Sequence, residues 1–172
     1  REIQRQVDRL RGMMKEILEF SRGGDRVQLT VGPVGALLDE VAKSASMATQ
    51  ARNIEVVVEQ GYDGEWRLDF PRMQRIVENL VGNAAAAIGY GGTIHITTAR
   101  RAAGLRLEVT DDGPGITGNL RETLFEPFVT HGKKEGTGLG LAIVRKYTEA
   151  QGGTVRVETS EAGTTFVLDF PE

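Results

Sequence analysis

The 172-residue chain has no cysteine and only two histidines, His95 and His131. Disulfides and thiolate zinc sites are thereby excluded, and a histidine-rich metal centre is argued against. A reducing compartment fits this composition. No apolar run reaches the roughly 18–20 residues that cross a bilayer, and no secretory leader opens the sequence. An excess of one charge is also missing, since 21 Lys and Arg stand against 24 Asp and Glu, a net charge of −3. Bulk electrostatics therefore offer nothing to draw in nucleic acid or an anionic membrane. The expectation is a cytoplasmic segment with no nucleic-acid partner and no membrane contact of its own, although a parent protein anchored in a membrane remains compatible.

With 40% hydrophobic and 26% charged residues, the chain suits one globular domain with a real core and a short appendage. Many of its 22 glycines cluster in 82–92, 113–118, 132–140 and 152–153. That clustering says more than the total.

Residues 1–21 read as one helix, with Ile3, Val7, Leu10, Met14 and Ile17 forming a heptad seam. Two readings fit the narrow seam: a helix lying on its own core, or one strand of an intermolecular bundle. Arg22-Gly23-Gly24-Asp25 marks the boundary. Beyond it, VQLTV (27–31) reads as a strand, 34–51 as a helix, and IEVVVEQ (54–60) as a strand. A short strand near Trp66–Leu68 precedes a helix over 71–88, with Pro71 in its first turn, where the missing N–H costs little. Residues 93–100 and 105–111 read as a hairpin, 139–151 as a helix, and 154–160 with 164–170 as a closing hairpin. Strands arriving in hairpins imply an α+β two-layer sandwich, with a mixed sheet of five or six strands covered on one face by three helices. Between Gly113 and Gly136 no regular element is evident, and a loop of that length in a compact domain is usually functional.

Three short patterns carry chemistry. The first is GTGLGL, residues 136–141. It lacks the G-K-[ST] ending of a Walker loop and places Leu141 where a dinucleotide fingerprint needs its third glycine. It can still expose backbone N–H groups at the positive end of the following helix, and a plain glycine turn is the competing reading. The second is DDGPGI (111–116), where Asp111 ends an apolar strand and offers an acceptor-only carboxylate, or else an ordinary acidic turn. The third is NLVGNAAAAI (79–88), with Asn79 and Asn83 on one helix face. Amide oxygens suit a hard cation such as Mg²⁺. A pair of polar residues at a buried edge is the alternative.

Taken in order with FEPF (125–128) and AGTTF (162–166), these motifs resemble the catalytic ATP-binding domain of sensor histidine kinases. That domain belongs to a superfamily shared with gyrase, Hsp90 and MutL. The five motifs span 79–166, and flanking patterns extend the likeness over nearly the whole chain. The resemblance implies the Bergerat-type ATP-binding fold over 25–172, with 1–24 as the C-terminal part of a dimerisation helix.

It also implies roles. Asp111 would hold the adenine amino group, with Gly113, Gly115 and Ile116 lining the approach and Thr164 reaching the base through water. Asn83 would coordinate Mg²⁺ between the phosphates, with Asn79 assisting, and these two form the expected catalytic pair. Gly136, Gly138 and Gly140, with the intervening Thr137, Leu139 and Leu141, would contact the phosphates. Phe125 and Phe128 would anchor a lid. Many members carry a lysine three residues after the magnesium asparagine, where this chain has Ala86. Lys133 and Lys134 on the lid are the candidates to replace that charge, unless they form only a solvated basic tip.

The phospho-accepting histidine motif is missing, and neither histidine lies in the N-terminal helix. The chain thus reads as a fragment beginning inside the second dimerisation helix, or as a kinase acting in trans. The expected partners are ATP, a histidine-bearing dimerisation helix of the same kinase, and a response regulator, within a homodimeric parent. An ATP-hydrolysing or merely ATP-binding conformational module of the same superfamily is the alternative. Against hydrolysis, the position of the water-activating glutamate is Asn79, and Glu78 is turned about 100° away around the helix.

Overall fold

A computed structural model describes residues 2–21, 26–118, 122–129 and 137–172. Its elements, in order, are α1 (Glu2–Ser21), β1 (Thr30–Pro33), α2 (Val34–Thr49), β2 (Ile54–Gly61), β3 (Glu65–Leu68), α3 (Phe70–Ile88), β4 (Gly92–Arg101), β5 (Gly104–Asp111), α4 (Gly140–Ala150), β6 (Thr154–Ser160) and β7 (Gly163–Phe170). A short 3₁₀ turn, Gln50–Arg52, follows α2.

Five strands form one mixed sheet in the order β2-β4-β5-β7-β6. Only β2 and β4 run parallel, and the remaining pairs are antiparallel. Period-two alternation sends Ile94 and Ile96, Leu105, Leu107 and Val109, and Phe166, Leu168 and Phe170 to one buried face. Helices α2, α3 and α4 cover that face, meeting it with Leu37, Leu38 and Val41, with Met73, Ile76, Val77 and Leu80, and with Val144. The two-layer α+β sandwich expected from the sequence is the one observed.

Most element ends fall within two residues of the sequence reading, and two of the differences have a visible cause. The first strand begins at Thr30, not at 27, because Gln28 donates its backbone N–H to Asp69 Oδ2 instead of to a strand partner. It pairs only with β3, so this ribbon stays outside the main sheet. Helix α3 begins at Phe70, since Asp69 is its N-cap and accepts from the Arg72 N–H at 3.2 Å. Its other end is closed by the Gly89 N–H and by Arg52 Nη1, both donating to Ala85 O, which places a cation at the negative helix end.

The opposite face of the sheet carries paired charges. Arg106 grips Asp169 with two hydrogen bonds, at 2.7 and 3.1 Å, and Arg156 adds a third at 2.8 Å. Burial pushes the Asp169 carboxyl up, but the arginine hydrogen bonds outweigh it and hold the group below its ordinary value. A depressed folded value stabilises the fold above the unfolded pKa, and that contribution is lost as pH falls through the folded value. Asp169→Asn should therefore cost about 1 kcal/mol near pH 7, an amount limited by solvent screening. Urea denaturation at pH 7 and in acid should show the difference shrinking as pH falls.

Helix α1 stands apart from this core. Leu10 and Met14 are 60% and 62% exposed, and Val7 and Ile17 are exposed as well. Its described tie to the domain is Lys146 of α4, which donates to Phe20 O at 2.7 Å and lies 4.8 Å from the Phe20 ring centre. The last turn of α1 has no basic residue of its own, so Lys146 supplies the cation that its C-terminal carbonyls favour.

Candidate functional site

The buried alternation of β5 does not stop at Val109. Its next inward position is Asp111, only 5% exposed, at the end of the strand where the apolar core opens. Strand register places Ile94, Asp111, Thr164 and Thr159 in one row across β4, β5, β7 and β6. The structure thus brings Asp111 beside Thr164, which are distant in sequence and adjacent in the sheet.

The Asp111 carboxylate accepts from the Gly113 N–H at 2.9 Å and from the Thr164 backbone N–H. Burial raises its pKa, the two N–H donors pull it back in part, and the neighbouring Asp112 charge adds to the rise. Even so, the group has two oxygens and about four acceptor sites, so lone pairs remain for a ligand. A donor such as an exocyclic amine is the partner that this environment favours. Asp112 is occupied otherwise, accepting from the Thr93 N–H at 2.9 Å.

The loop after Asp111 folds back over the β6–β7 hairpin. Gly115 has φ +72°, and any side chain there would collide with Ser160 O. The Ile116 N–H then donates to Thr159 Oγ1 at 2.8 Å, and the Ile116 side chain packs on the core. On its other side the loop abuts α3: a methyl group on Gly113 would lie 3.5 Å from Ala87 Cβ.

Ala87, Asn83 and Asn79 form one i, i+4 ridge along α3, about 12 Å long at 1.5 Å per residue. At the far end of this ridge, α4 begins. A methyl group on Gly140 would sit 3.1 Å from Asn79 Oδ1 and 3.9 Å from Asn83 Nδ2. Asn79 donates its Nδ2 to Arg75 O at 2.8 Å, which fixes its oxygen toward that helix start. The first turn of α4, whose N–H groups have no acceptor within the helix itself, therefore lies beside a pair of amides. Leu139, its N-cap, is fully buried, and Leu141 packs on the core, so these two seat the helix. Thr137 Oγ1 accepts from the Leu139 N–H at 3.2 Å.

Glu78 lies one position from Asn79, but its carboxylate accepts from Gln74 and Arg75 on its own helix, at 3.3 and 3.0 Å. It is not presented to the Asn79–Gly140 gap.

In the segment between β5 and α4, Phe125 stacks edge-on against Phe166, with ring centres 6.3 Å apart. Phe128 lacks the core packing that Phe125 has. Its ring is 66% exposed and its φ is +66°, a costly conformation for a bulky residue. What holds this point is backbone, since the Phe128 N–H donates to Gly138 O at 3.0 Å. Gly138, with φ +72°, has the Phe128 backbone 2.6 Å from the place a side chain would start, so only glycine fits. Lys133, Lys134, Gly136 and His131 lie outside the described residues. His95 sits on the outward face of β4, away from the site.

Sequence reasoning missed Thr159. The signal was present in the hairpin, since a turn at Glu161-Ala162-Gly163 sets Thr159 opposite Thr164. It also missed Gln151, which accepts from the Asp69 N–H at 2.8 Å and pins the far ends of α3 and α4 together.

No helix among the described residues is long and apolar enough to cross a membrane. Comparison with known proteins gives a consistent result. Residues 68–172 match the family described as histidine kinase-, DNA gyrase B- and HSP90-like ATPase. The chain is 33% identical over 169 residues to the sensor histidine kinase ZraS of Escherichia coli (strain K12), covering 97% of this chain and 36% of ZraS. It thus spans little more than a third of that relative. Among solved structures, the catalytic domain of histidine kinase ThkA is similar with a TM-score of 0.75 and 32% identity, over 84% of this chain and 95% of that one. The structure of ThkA in complex with the response regulator protein TrrA is similar with a TM-score of 0.80 and 31% identity, over 98% of this chain and 49% of that one. The chain belongs to the histidine kinase-, DNA gyrase B- and HSP90-like ATPase family, on its histidine kinase side.

Proposed function

We propose that this chain binds Mg·ATP between Asp111 and the start of α4, and that its parent transfers the γ-phosphoryl group to a histidine outside this chain. The observation that carries this reading is the alignment of one buried acceptor, one amide ridge and one helix N-terminus along α3. The adenine amine would donate to Asp111, and the phosphates would accept from the N–H groups around Gly138 and Gly140, with Gly136 and the lid lysines Lys133 and Lys134 as further contacts.

The amide oxygens of Asn79 and Asn83 fit Mg²⁺, because they are hard, neutral donors, and the Asn79 oxygen is already held toward the gap. Asn83 would hold the ion with Asn79 beside it, and bound Mg²⁺ would neutralise charge on the phosphates. The chain's own contribution is then positioning, which is most of what phosphoryl transfer requires. Engagement of the Glu78 carboxylate within α3 counts against water activation, so transfer is favoured over hydrolysis.

Residues 1–24 are assigned to the end of a dimerisation helix, supported by the exposed seam of Val7, Leu10, Met14 and Ile17. The parent would be a homodimer whose phosphorylated histidine serves a response regulator, as the pairing of ThkA with TrrA suggests for that relative. A supply of ATP places this chemistry on the cytoplasmic side.

The test is transfer itself. The chain, Mg·ATP labelled at the γ-phosphate, and a purified histidine-bearing dimerisation hairpin of histidine kinase type are mixed. An acid-labile, base-stable label on the hairpin is expected. Release of free phosphate with no label on any histidine would overturn the assignment in favour of hydrolysis.

A further inference from the structure

We infer that Thr159 is a positioning residue for base recognition, acting through the loop that carries Ile116 and not by touching the nucleotide. The inference rests on the ATP reading above.

Thr159 sits at the end of edge strand β6, in the inward row with Asp111 and Thr164. Its hydroxyl accepts from the Ile116 N–H at 2.8 Å. The same oxygen lies 3.2 Å from Gly163 O and 3.3 Å from Thr164 Oγ1. A hydroxyl has one proton and two lone pairs. With one lone pair committed to Ile116, both Gly163 O and Thr164 Oγ1 lie within reach of its proton. Donation to Gly163 O leaves the Thr164 proton to return to Thr159. Donation to Thr164 Oγ1 frees the Thr164 proton to face outward. Thr159 thereby sets which hydrogen-bonding character Thr164 shows beside Asp111.

It also fixes the far end of the 112–117 loop. Asp111 holds the near end through the Gly113 N–H, and the Gly115 position lies against Ser160 O and 3.0 Å from Thr159 Oγ1. A loop pinned at both ends keeps its width, and width decides which base edge can bring an amine to Asp111. Released at Ile116, the loop would relax, and the discrimination between an amine and a carbonyl at that edge would fade before binding itself was lost.

Thr159→Val removes the hydroxyl and keeps the branched shape, whereas Thr159→Ser keeps the hydroxyl. Binding of Mg·ATP and Mg·GTP to each variant would be measured by calorimetry. The wild-type chain should prefer ATP. In the valine variant the ATP:GTP affinity ratio should fall about tenfold, as expected for losing one partly buried hydrogen bond, and in the serine variant it should return to near the wild-type value. General destabilisation would weaken both nucleotides equally and leave the ratio alone. Thr159→Ala gives the same readout if the valine variant does not fold. An unchanged ratio in the valine variant, or one that serine does not restore, overturns the role of Thr159 while leaving the ATP reading standing. A wild-type chain that binds neither nucleotide overturns that reading and this inference together.

Discussion

Asp111→Asn should weaken ATP binding about 100-fold while leaving the domain folded. The carboxylate takes two backbone N–H bonds, from Gly113 and Thr164, and still has acceptor capacity for a ligand amine. An asparagine has one acceptor oxygen and a donor NH₂. It must either abandon a backbone N–H or turn a donor toward the ligand's donor. Losing a charge-assisted bond and creating that clash is worth about 2–3 kcal/mol, which sets the expected factor. Calorimetric titration with Mg·ATP reads it directly, and an unchanged affinity would remove Asp111 from the base site.

Stability should move the other way with pH. Burial raises the folded pKa of Asp111, so the folded state holds the proton more tightly than the unfolded chain. The wild type accordingly enjoys its full share of stability below the unfolded carboxylate pKa, and loses it as pH rises through the raised value. The asparagine variant has no such loss. Chemical denaturation from pH 3.5 upward should therefore show the variant gaining on the wild type as pH climbs. The residue proposed to receive the base amine is one whose charge the fold tolerates at a cost.

Asn83→Ala should separate binding from transfer. The base end and the α4 start remain, so Mg·ATP affinity should fall by no more than about tenfold. Phosphoryl transfer to a supplied histidine-bearing hairpin should fall about 100-fold or more, because charge stabilisation at the transferred group is the larger part of such catalysis. Equal transfer rates in variant and wild type would contradict the role given to Asn83. Asn79→Ala is a useful companion, since its oxygen is the one that Arg75 O holds toward Gly140.

Much of this architecture was legible because its signals are local. The alternation in β4, β5 and β7, and the spacing of Asn79 and Asn83, each followed from residues within a few positions of one another. The inward position of Asp111 needed only the parity of Leu105, Leu107 and Val109. Where the reading failed, the cause lay elsewhere in the chain. The start of β1 is shifted by a side chain 41 positions away, Asp69 accepting from Gln28. The exposure of Phe128 and its backbone bond to Gly138 depend on a partner ten residues away, which no local pattern around FEPF shows. Thr159 escaped notice because a threonine near a strand end looks ordinary until the register brings Ile116 to it.

The neighbours β5 and β7 have a consequence for how the protein tolerates change. They hydrogen-bond at Asp111 and Thr164, while the long segment and α4 leave and return between these positions. The cost of closing a flexible loop grows only logarithmically, so doubling its length adds about 0.6 kcal/mol. Insertions between Val129 and Thr137 would then leave the Asp111–Thr164 row and the Phe128–Gly138 contact in place. Chain added there lengthens the connection with little penalty to the sheet beneath it.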